Sequence, residues 1–193
     1  PMTNDNPLLA EWKTPYGLPP FTEVRAGHFA PAFDVALAQH AAEIDRLAAQ
    51  TDSPTFDNTI VPFDASGRLL ARVGHLFHNL CSSETSPELQ AVERTMSPRL
   101  AAHWSAIYLN GALFARIDAL HAQREALDLA PEARRLLERV HLDFVLAGAR
   151  LSSSDKQRFG VIVERLAELQ TAFSQNVLHD ESSWALWLAD ERD

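Results

Sequence analysis

Apolar residues recur at steps of three and four along most of this chain, and this spacing constrains the fold more than any other feature. Side chains spaced in this way lie on one face of an α-helix, which can then pack against a neighbour. In chain order, the apolar stripes are Phe29, Phe33, Leu37, His40, Ile44 and Leu47; Ile60, Phe63, Leu70, Val73, Phe77 and Leu80; Leu89, Val92, Met96, Leu100, Trp104 and Ile107; Leu113, Ile117 and Leu120; Ala133, Leu137, Val140, Phe144 and Ala147; and Phe159, Ile162, Leu166, Leu169, Phe173 and Val177. These stripes predict an all-α fold, an array or bundle of antiparallel helices joined by short turns.

Helix start and stop signals separate the stripes. Ser86 followed by Pro87 combines a capping hydroxyl with a proline in the first helical turn. Asn110 is a capping residue before the fourth stripe, and SSSD (152–155) precedes the sixth. Pro131 opens the fifth helix, whose end is followed by Gly148. The helix after SSSD is predicted to be the longest.

The two ends of the chain lack the helical pattern. Residues 1–27 contain five prolines and are predicted to run extended across the helices, because proline interrupts a regular helix. In WALWL (184–188) the apolar residues alternate, which predicts the beginning of a strand. We therefore expect an extended segment in 1–27, a helical lobe in 28–183 and a strand beginning in 184–193. Because a strand needs a partner, we expect the missing one to lie in a further part of a larger protein.

The composition excludes several classes of function. The 193 residues suit one domain or one lobe of a larger protein, with 46% apolar and 22% charged residues. A net charge of −9 without any run of Lys or Arg argues against nucleic-acid binding. No apolar run approaches the ~20 residues of a membrane span, and no signal peptide is recognisable. A lone cysteine, Cys81, fits a reducing compartment, so we expect a cytoplasmic location. We interpret Cys81 as a small, partly buried apolar residue.

The stretch HLFH (75–78) raises the possibility of a zinc site. Two histidines three residues apart on a helix project from one face. A catalytic zinc needs three protein ligands and an open fourth position. The candidates for a third ligand, His40, His103 and His141, lie on or beside apolar stripes, and the chain contains no H-E-x-x-H. We therefore interpret His75 and His78 as part of a structural helix and assign no metal ligand in this chain.

No other pattern predicts catalysis. In HDES (179–182), neighbouring polar residues point in different directions on a helix and do not converge. The chain lacks G-x-S-x-G, G-x-G-x-x-G and a phosphate-binding glycine-rich loop. We assign no catalytic residue, and the sequence identifies no substrate-binding residue.

Seven stretches, taken together, resemble a known family. They are NPLL (6–9), HFAPAF (28–33), PTFDNTI (54–60), SGRLLARV (66–73), IYLNGALFARIDAL (107–120), RLLERVHLDFVLAGARL (135–151) and LQTAFSQNVLHDES (169–182). In this order they resemble the N-terminal part of bacterial peptidyl-dipeptidases and oligopeptidase A, in the thimet oligopeptidase and neurolysin family of zinc metallopeptidases. The resemblance extends from about Asn6 to Leu188. IYLNGALFARIDAL favours the peptidyl-dipeptidase branch.

The resemblance implies one lobe of a larger, predominantly helical enzyme that cleaves short peptides. Such an enzyme has a deep channel between two lobes. In this family the zinc and its H-E-x-x-H helix lie in a later part of the chain, so the resemblance implies zinc in the parent enzyme and none here. The early helices would wall the channel, and the partners would be short peptides and the C-terminal catalytic region. Two alternatives remain open: a free-standing helical interaction domain without activity, and a small metal-binding helical protein that uses His75 and His78.

Overall fold

The computed structural model describes residues 6–187, in which helices dominate. Six of the helices have twelve or more residues. The helices are α1 (Phe29–Ala48), α2 (Val61–Asp64), α3 (Arg68–Ser83), α4 (Pro87–Tyr108), α5 (Gly111–Ala122), α6 (Pro131–Leu146) and α7 (Ser153–Ser183), with a π-helical turn at Phe56–Ile60 and 3₁₀ turns at Pro15–Gly17 and Ala26–His28. Residues 6–187 contain no strand, and the predicted all-α class is confirmed.

The caps predicted from the sequence form as hydrogen bonds. The backbone N–H of Leu89 donates to Ser86 Oγ over 3.2 Å, and that of Leu113 donates to Asn110 Oδ1 over 3.0 Å. The N–H of Asp155 donates to Ser152 Oγ over 3.2 Å at the start of α7. Each bond satisfies one of the N–H groups that lack a partner at a helix start.

The end of α6 uses Gly148 as the sequence predicts. Gly148 has φ of +92°, a left-handed conformation that glycine adopts without steric cost. The N–H of Ala149 donates to the Phe144 carbonyl, and that of Gly148 donates to the Val145 carbonyl. This pair of bonds is the Schellman motif, which satisfies two carbonyls of the last turn.

The second apolar stripe does not form the single helix that its pattern predicts. Residues 61–64 form the short α2, and α3 starts only at Arg68. Between them Gly67 adopts φ of +68° and its N–H donates to Glu43 Oε2 over 2.8 Å. The left-handed glycine turns the chain, so the stripe is divided between two helices.

The buried apolar residues form two clusters along α1. The first joins the early part of α1 to α3, to α4 and to the N-terminal segment, where Leu8 is fully buried. Within it the Phe77 ring lies 5.0 Å from the Phe29 ring and 5.4 Å from the Phe33 ring, measured between centroids. The second cluster joins the later part of α1 to α5 and α6, with Phe144 at its centre.

The N-terminal segment lies on α3. The Arg72 guanidinium donates to the Leu8 carbonyl over 2.7 Å and lies 5.0 Å above the Trp12 ring, while Trp12 Nε1 donates to the Pro7 carbonyl. Side-chain contacts thus hold a proline-rich segment that forms no regular helix.

Residues 1–5 and 188–193 lie outside the described residues. The predicted boundaries of the extended segment and of the C-terminal strand therefore remain predictions. Residues 184–187 have no regular secondary structure.

Helix α7 packs differently from the pattern-based prediction. Its principal contact is α4, where the side-chain amide of Gln175 donates to the Gln90 carbonyl and to Glu93. The half-buried residues of α7 are Lys156, Phe159, Gly160, Val163, Ala167, Thr171 and Gln175. The predicted inward stripe instead faces solvent from Ile162 to Val177, with exposed fractions between 39% and 70%. The inward face predicted for α7 is therefore wrong.

Candidate functional site

His75 and His78 both lie on the exposed surface of α3. His78 Nδ1 donates to the Gly74 carbonyl over 2.7 Å, one helical turn back, so this nitrogen carries a proton and is not free to bind a metal. His75 lies at the rim of an open groove of about 310 Å³. The groove is lined by Trp12, Pro19, Phe21, Arg72, His75, Leu76 and Asn79. None of these neighbours supplies a carboxylate or thiolate to accompany the imidazole.

Two histidines considered as a third ligand, His40 and His103, contact each other instead. His103 Nε2 lies 2.9 Å from His40 Nδ1, and His40 Nε2 lies 3.1 Å from Ser66 Oγ. Ser66 Oγ donates its single proton to the Phe63 carbonyl over 2.7 Å, so it accepts from His40 Nε2–H. His40 Nδ1 is then the acceptor, and His103 Nε2–H is the donor. A directional chain of hydrogen bonds links α4, α1 and the end of α2.

Burial keeps both imidazoles of this chain neutral. Desolvation lowers the pKa of His40, which is 2% exposed, although the carboxylate of Glu43 acts in the opposite direction. Desolvation and the neighbouring His40 lower the pKa of His103. Both nitrogens of His40 are occupied, and the Ser66 hydroxyl donates its proton to the Phe63 carbonyl rather than to the imidazole. The chain of bonds therefore connects helices rather than performing acid–base catalysis.

The remaining candidate, His141, belongs to a third arrangement. Its Nε2 lies 2.8 Å from Asp118 Oδ1, and its ring stacks on His121 with centroids 3.7 Å apart. The hydrogen bond to His141 is the main reason that the pKa of Asp118 is lowered, with Arg150 contributing as well. Desolvation, then the nearby His141, lowers the pKa of His121. These three side chains join α5 to α6, and they are not placed to hold a metal ion together.

Cys81 and the HDES stretch do not form reactive sites. Desolvation and the nearby Glu93 raise the pKa of the Cys81 thiol to about 11, so the thiolate needed for nucleophilic attack is scarce at neutral pH. His179, Asp180 and Glu181 are exposed on the last turns of α7, as expected for a polar helix end.

Sequence reasoning missed the most heavily bonded side chain of the interior, Arg116. It is 8% exposed, yet it lies beside the apolar residues of α5. It donates to the carbonyls of Gln50 and Asp52 and to the side chains of Gln50, Asn58 and Thr59 over 2.9 to 3.2 Å. The sequence contains a signal for this role. Arg116 interrupts the apolar run of α5, and the turn-rich stretch 50–59 has polar groups that need hydrogen-bond partners.

Within residues 6–187 no group of three or more His, Cys, Asp or Glu side chains is placed to hold a metal ion. His40 and His103 bond each other, and among the described residues no third metal-ligating side chain accompanies His75 and His78. None of the helices in this range combines the length and apolarity that crossing a membrane requires. The fold and its side chains define an all-α domain whose polar clusters serve packing.

Over almost its whole length the chain is similar to part of two kinds of bacterial peptidase. It is 40% identical over 189 residues to a dipeptidyl carboxypeptidase of Escherichia coli (strain K12), which covers 98% of this chain and 28% of that protein. It is 31% identical over 193 residues to oligopeptidase A of the same organism and 30% identical to that of Haemophilus influenzae. The resemblance to peptidyl-dipeptidases and oligopeptidase A is therefore confirmed.

The chain spans about 27–28% of the length of these curated bacterial relatives. No protein-family model matches it. The higher identity to the dipeptidyl carboxypeptidases agrees with the branch that IYLNGALFARIDAL indicates.

Proposed function

We propose that this chain is the N-terminal helical lobe of a cytoplasmic zinc metallopeptidase that releases dipeptides from the C-termini of short peptides. In this role the lobe walls the substrate channel, and another part of the polypeptide supplies the zinc and the attacking water. The single observation that carries the proposal is the 40% identity to a dipeptidyl carboxypeptidase over 98% of the chain. The identity to oligopeptidase A is about ten percentage points lower, which favours dipeptide release.

The role as a wall is supported by the way the lobe is built. Two apolar clusters along α1 and the buried Arg116 give the described helices a well-packed core. The grooves on its surface are open, as at His75. Such a body can exclude folded proteins from a channel, but hydrolysis needs a metal or a positioned base from elsewhere.

The test is the reading frame that follows Asp193, together with an activity assay. Continuation into an H-E-x-x-H motif supports the proposal. The product of the complete gene is then expected to release C-terminal dipeptides from an N-terminally blocked peptide, and this activity should vanish on chelation. The 193-residue chain alone is expected to show no turnover under the same conditions. A stop codon directly after residue 193, with a stable and inactive product in the cell, would contradict it.

The exposed apolar side of α7 favours one second candidate, a helical interaction domain without enzymatic activity. Five large apolar residues from Ile162 to Val177 face solvent, and an exposed apolar patch of this kind marks an interaction surface. The same reading-frame experiment separates the two candidates, because a free-standing domain has no downstream metal motif.

A further inference from the structure

Helix α7, which lies wholly within the described residues, buries little of its own surface in the lobe. It has 31 residues, none of them fully buried, and its principal contact is α4. Gln175 fixes its rotation there by hydrogen bonds to the Gln90 carbonyl and to Glu93. In folded proteins most of the stability of a helix comes from packing an apolar face against neighbours. Contact with α4 alone supplies little of that packing to so long a helix.

A row of large apolar side chains follows another side of α7. We call it the α7 row, and it consists of Ile162, Leu166, Leu169, Phe173 and Val177, each at least 39% exposed. Steps of four, three, four and four residues align these side chains over about 22 Å. At about 100° per residue, they point away from the half-buried Val163, Ala167 and Thr171. A contiguous apolar patch of this kind marks an interaction surface.

The α7 row suits an apolar partner rather than a charged one. The side chains that lie beside it on the same side of the helix are the uncharged Gln170 and Asn176. Arg165, at its edge, is already paired with Glu168. A nucleic acid or a charged peptide would find no unpaired charge along the row itself, whereas an apolar surface gains by excluding water from it.

Covalent connection selects the downstream part of a longer polypeptide as the cover. The chain spans only 27–28% of the length of its bacterial relatives, so under the proposed function most of the polypeptide lies outside the 193 residues. That part would begin ten residues after α7 ends at Ser183. Ten residues span up to about 36 Å, enough for the chain to turn back along the row. A short tether gives the downstream part an effective concentration of about a millimolar, which a separate protein or a second copy does not reach at micromolar levels.

We infer that the α7 row is the surface of this lobe on which the downstream part of the same polypeptide packs, through an apolar face about four helical turns long. The inference rests on the proposed function for the existence of that downstream part. It adds the side of the lobe that meets it. Helix α7 then lies between α4 and the downstream part, and its rotation, fixed by Gln175, sets how the lobe is attached.

Thiol labelling measures whether the row is covered. In a Cys81→Ser background, Phe173→Cys is introduced into the product of the complete gene and into the 193-residue chain. Val161→Cys is the matched control, because Val161 is 68% exposed and Phe173 is 70% exposed, but Val161 lies outside the row. Phe173→Cys should react with a maleimide at least ~10-fold more slowly in the complete product than in the 193-residue chain. Val161→Cys should react equally fast in both, and mass spectrometry of the peptide reads each position separately.

Three outcomes would overturn the inference. Equal labelling of Phe173→Cys in both proteins would leave the row open in the complete product, while the peptidase proposal would still be decided by the H-E-x-x-H motif and dipeptide release. Slow labelling in the 193-residue chain that becomes faster on dilution would identify a second copy as the cover. A reading frame without a downstream part would contradict the peptidase proposal and this inference together.

A pair of charge variants tests the same surface through stability. In the complete product, Leu166→Glu should lower the melting temperature and restore fast labelling of Phe173→Cys, because it places a carboxylate in a covered apolar contact. Val161→Glu should do neither. In the 193-residue chain both variants should unfold like the parent, since both side chains face water there. An equal loss from Leu166→Glu in the 193-residue chain would place the effect within α7 itself and contradict the inference. Circular dichroism verifies that helix content is unchanged.

Discussion

His103 on α4 donates a hydrogen bond from Nε2 to Nδ1 of His40 on α1 over 2.9 Å. The bond requires a neutral His40, because a doubly protonated imidazole has no acceptor nitrogen. Ser66 accepts from the other nitrogen of the same ring, so protonation cannot be accommodated by a change of tautomer alone. The contact between α1 and α4 thus depends on the protonation state of one buried ring.

The first prediction concerns the pH dependence of stability. Burial lowers the pKa of His40 and of His103 below their unfolded value of about 6.5. Between the folded and unfolded pKa values the unfolded chain binds more protons, so stability is complete above about pH 6.5 and is lost as the pH falls below it. Urea denaturation between pH 7.5 and 5.5 should show a falling free energy of unfolding. His40→Gln should reduce the slope, and an unchanged slope would contradict the assignment. The lowered pKa of Glu43 adds stability that is present above about pH 4.5 and is lost only as the pH falls below that value.

Replacement of Arg116 should be among the most damaging single changes. Its guanidinium holds five acceptors of residues 50–59, and removal would leave several of these groups buried without partners. We expect Arg116→Met to lower the free energy of unfolding by about 2–4 kcal/mol, since each lost bond to a charged group contributes about 1.5–3 kcal/mol and the losses overlap. Arg165→Met is the control, because its contact with Glu168 is solvent-exposed and worth under about 1 kcal/mol. Equal losses in chemical denaturation would contradict the role of Arg116.

The sequence predicts the helices well because their signals are local. The caps at Ser86, Asn110 and Ser152 and the stop at Gly148 form as expected, since each depends on residues within one turn. The interior of α1 also follows its stripe. The rotation of α7 does not, because the periodicity of a helix shows which residues share a face but not which face meets a neighbour. Gln175, which lies outside the predicted stripe, makes the hydrogen bonds to α4.

The contacts within the polar clusters could not be predicted from the sequence for a different reason. His40 and His103 are 63 residues apart, and Arg116 reaches back to Gln50 over 66 residues. Such pairs depend on how α1, α4 and α5 pack, which no local spacing encodes. The sequence does exclude the most common catalytic motifs, and the structure adds that its histidines are distributed among packing contacts.

A third prediction compares core and surface on α3. Phe77 is 1% exposed and contacts the rings of Phe29 and Phe33, whereas His78 is exposed. Phe77→Ala should lower the free energy of unfolding by about 3–5 kcal/mol, because a cavity remains where the ring was. His78→Ala removes only a local bond to Gly74 and should cost far less. Chemical denaturation of the two variants at one pH measures the difference, and similar losses would mean that the inward face of α3 is misassigned.

A fourth prediction concerns metal content. No third ligand accompanies His75 or His78 among the described residues, so the purified chain should contain no stoichiometric zinc after dialysis. Elemental analysis is the measurement, with His75→Ala as the comparison. About one zinc per chain that disappears in His75→Ala would instead establish a metal site on α3.

The last prediction returns to the turn beside His40. Gly67 adopts φ of +68°, and a Cβ placed on it would lie 2.9 Å from Nδ1 and Cε1 of the His40 ring. Alanine would therefore strain the backbone and push the ring away from His103, with an expected loss of about 1–3 kcal/mol. Gly160→Ala is the matched control, because Gly160 lies within α7 with no heavy atom near the added carbon and should gain up to about 1 kcal/mol from helix propensity. Thermal and urea unfolding of both variants should give opposite signs. If Gly67→Ala were as stable as the parent chain, the close packing of the His40 ring against this turn would have to be abandoned.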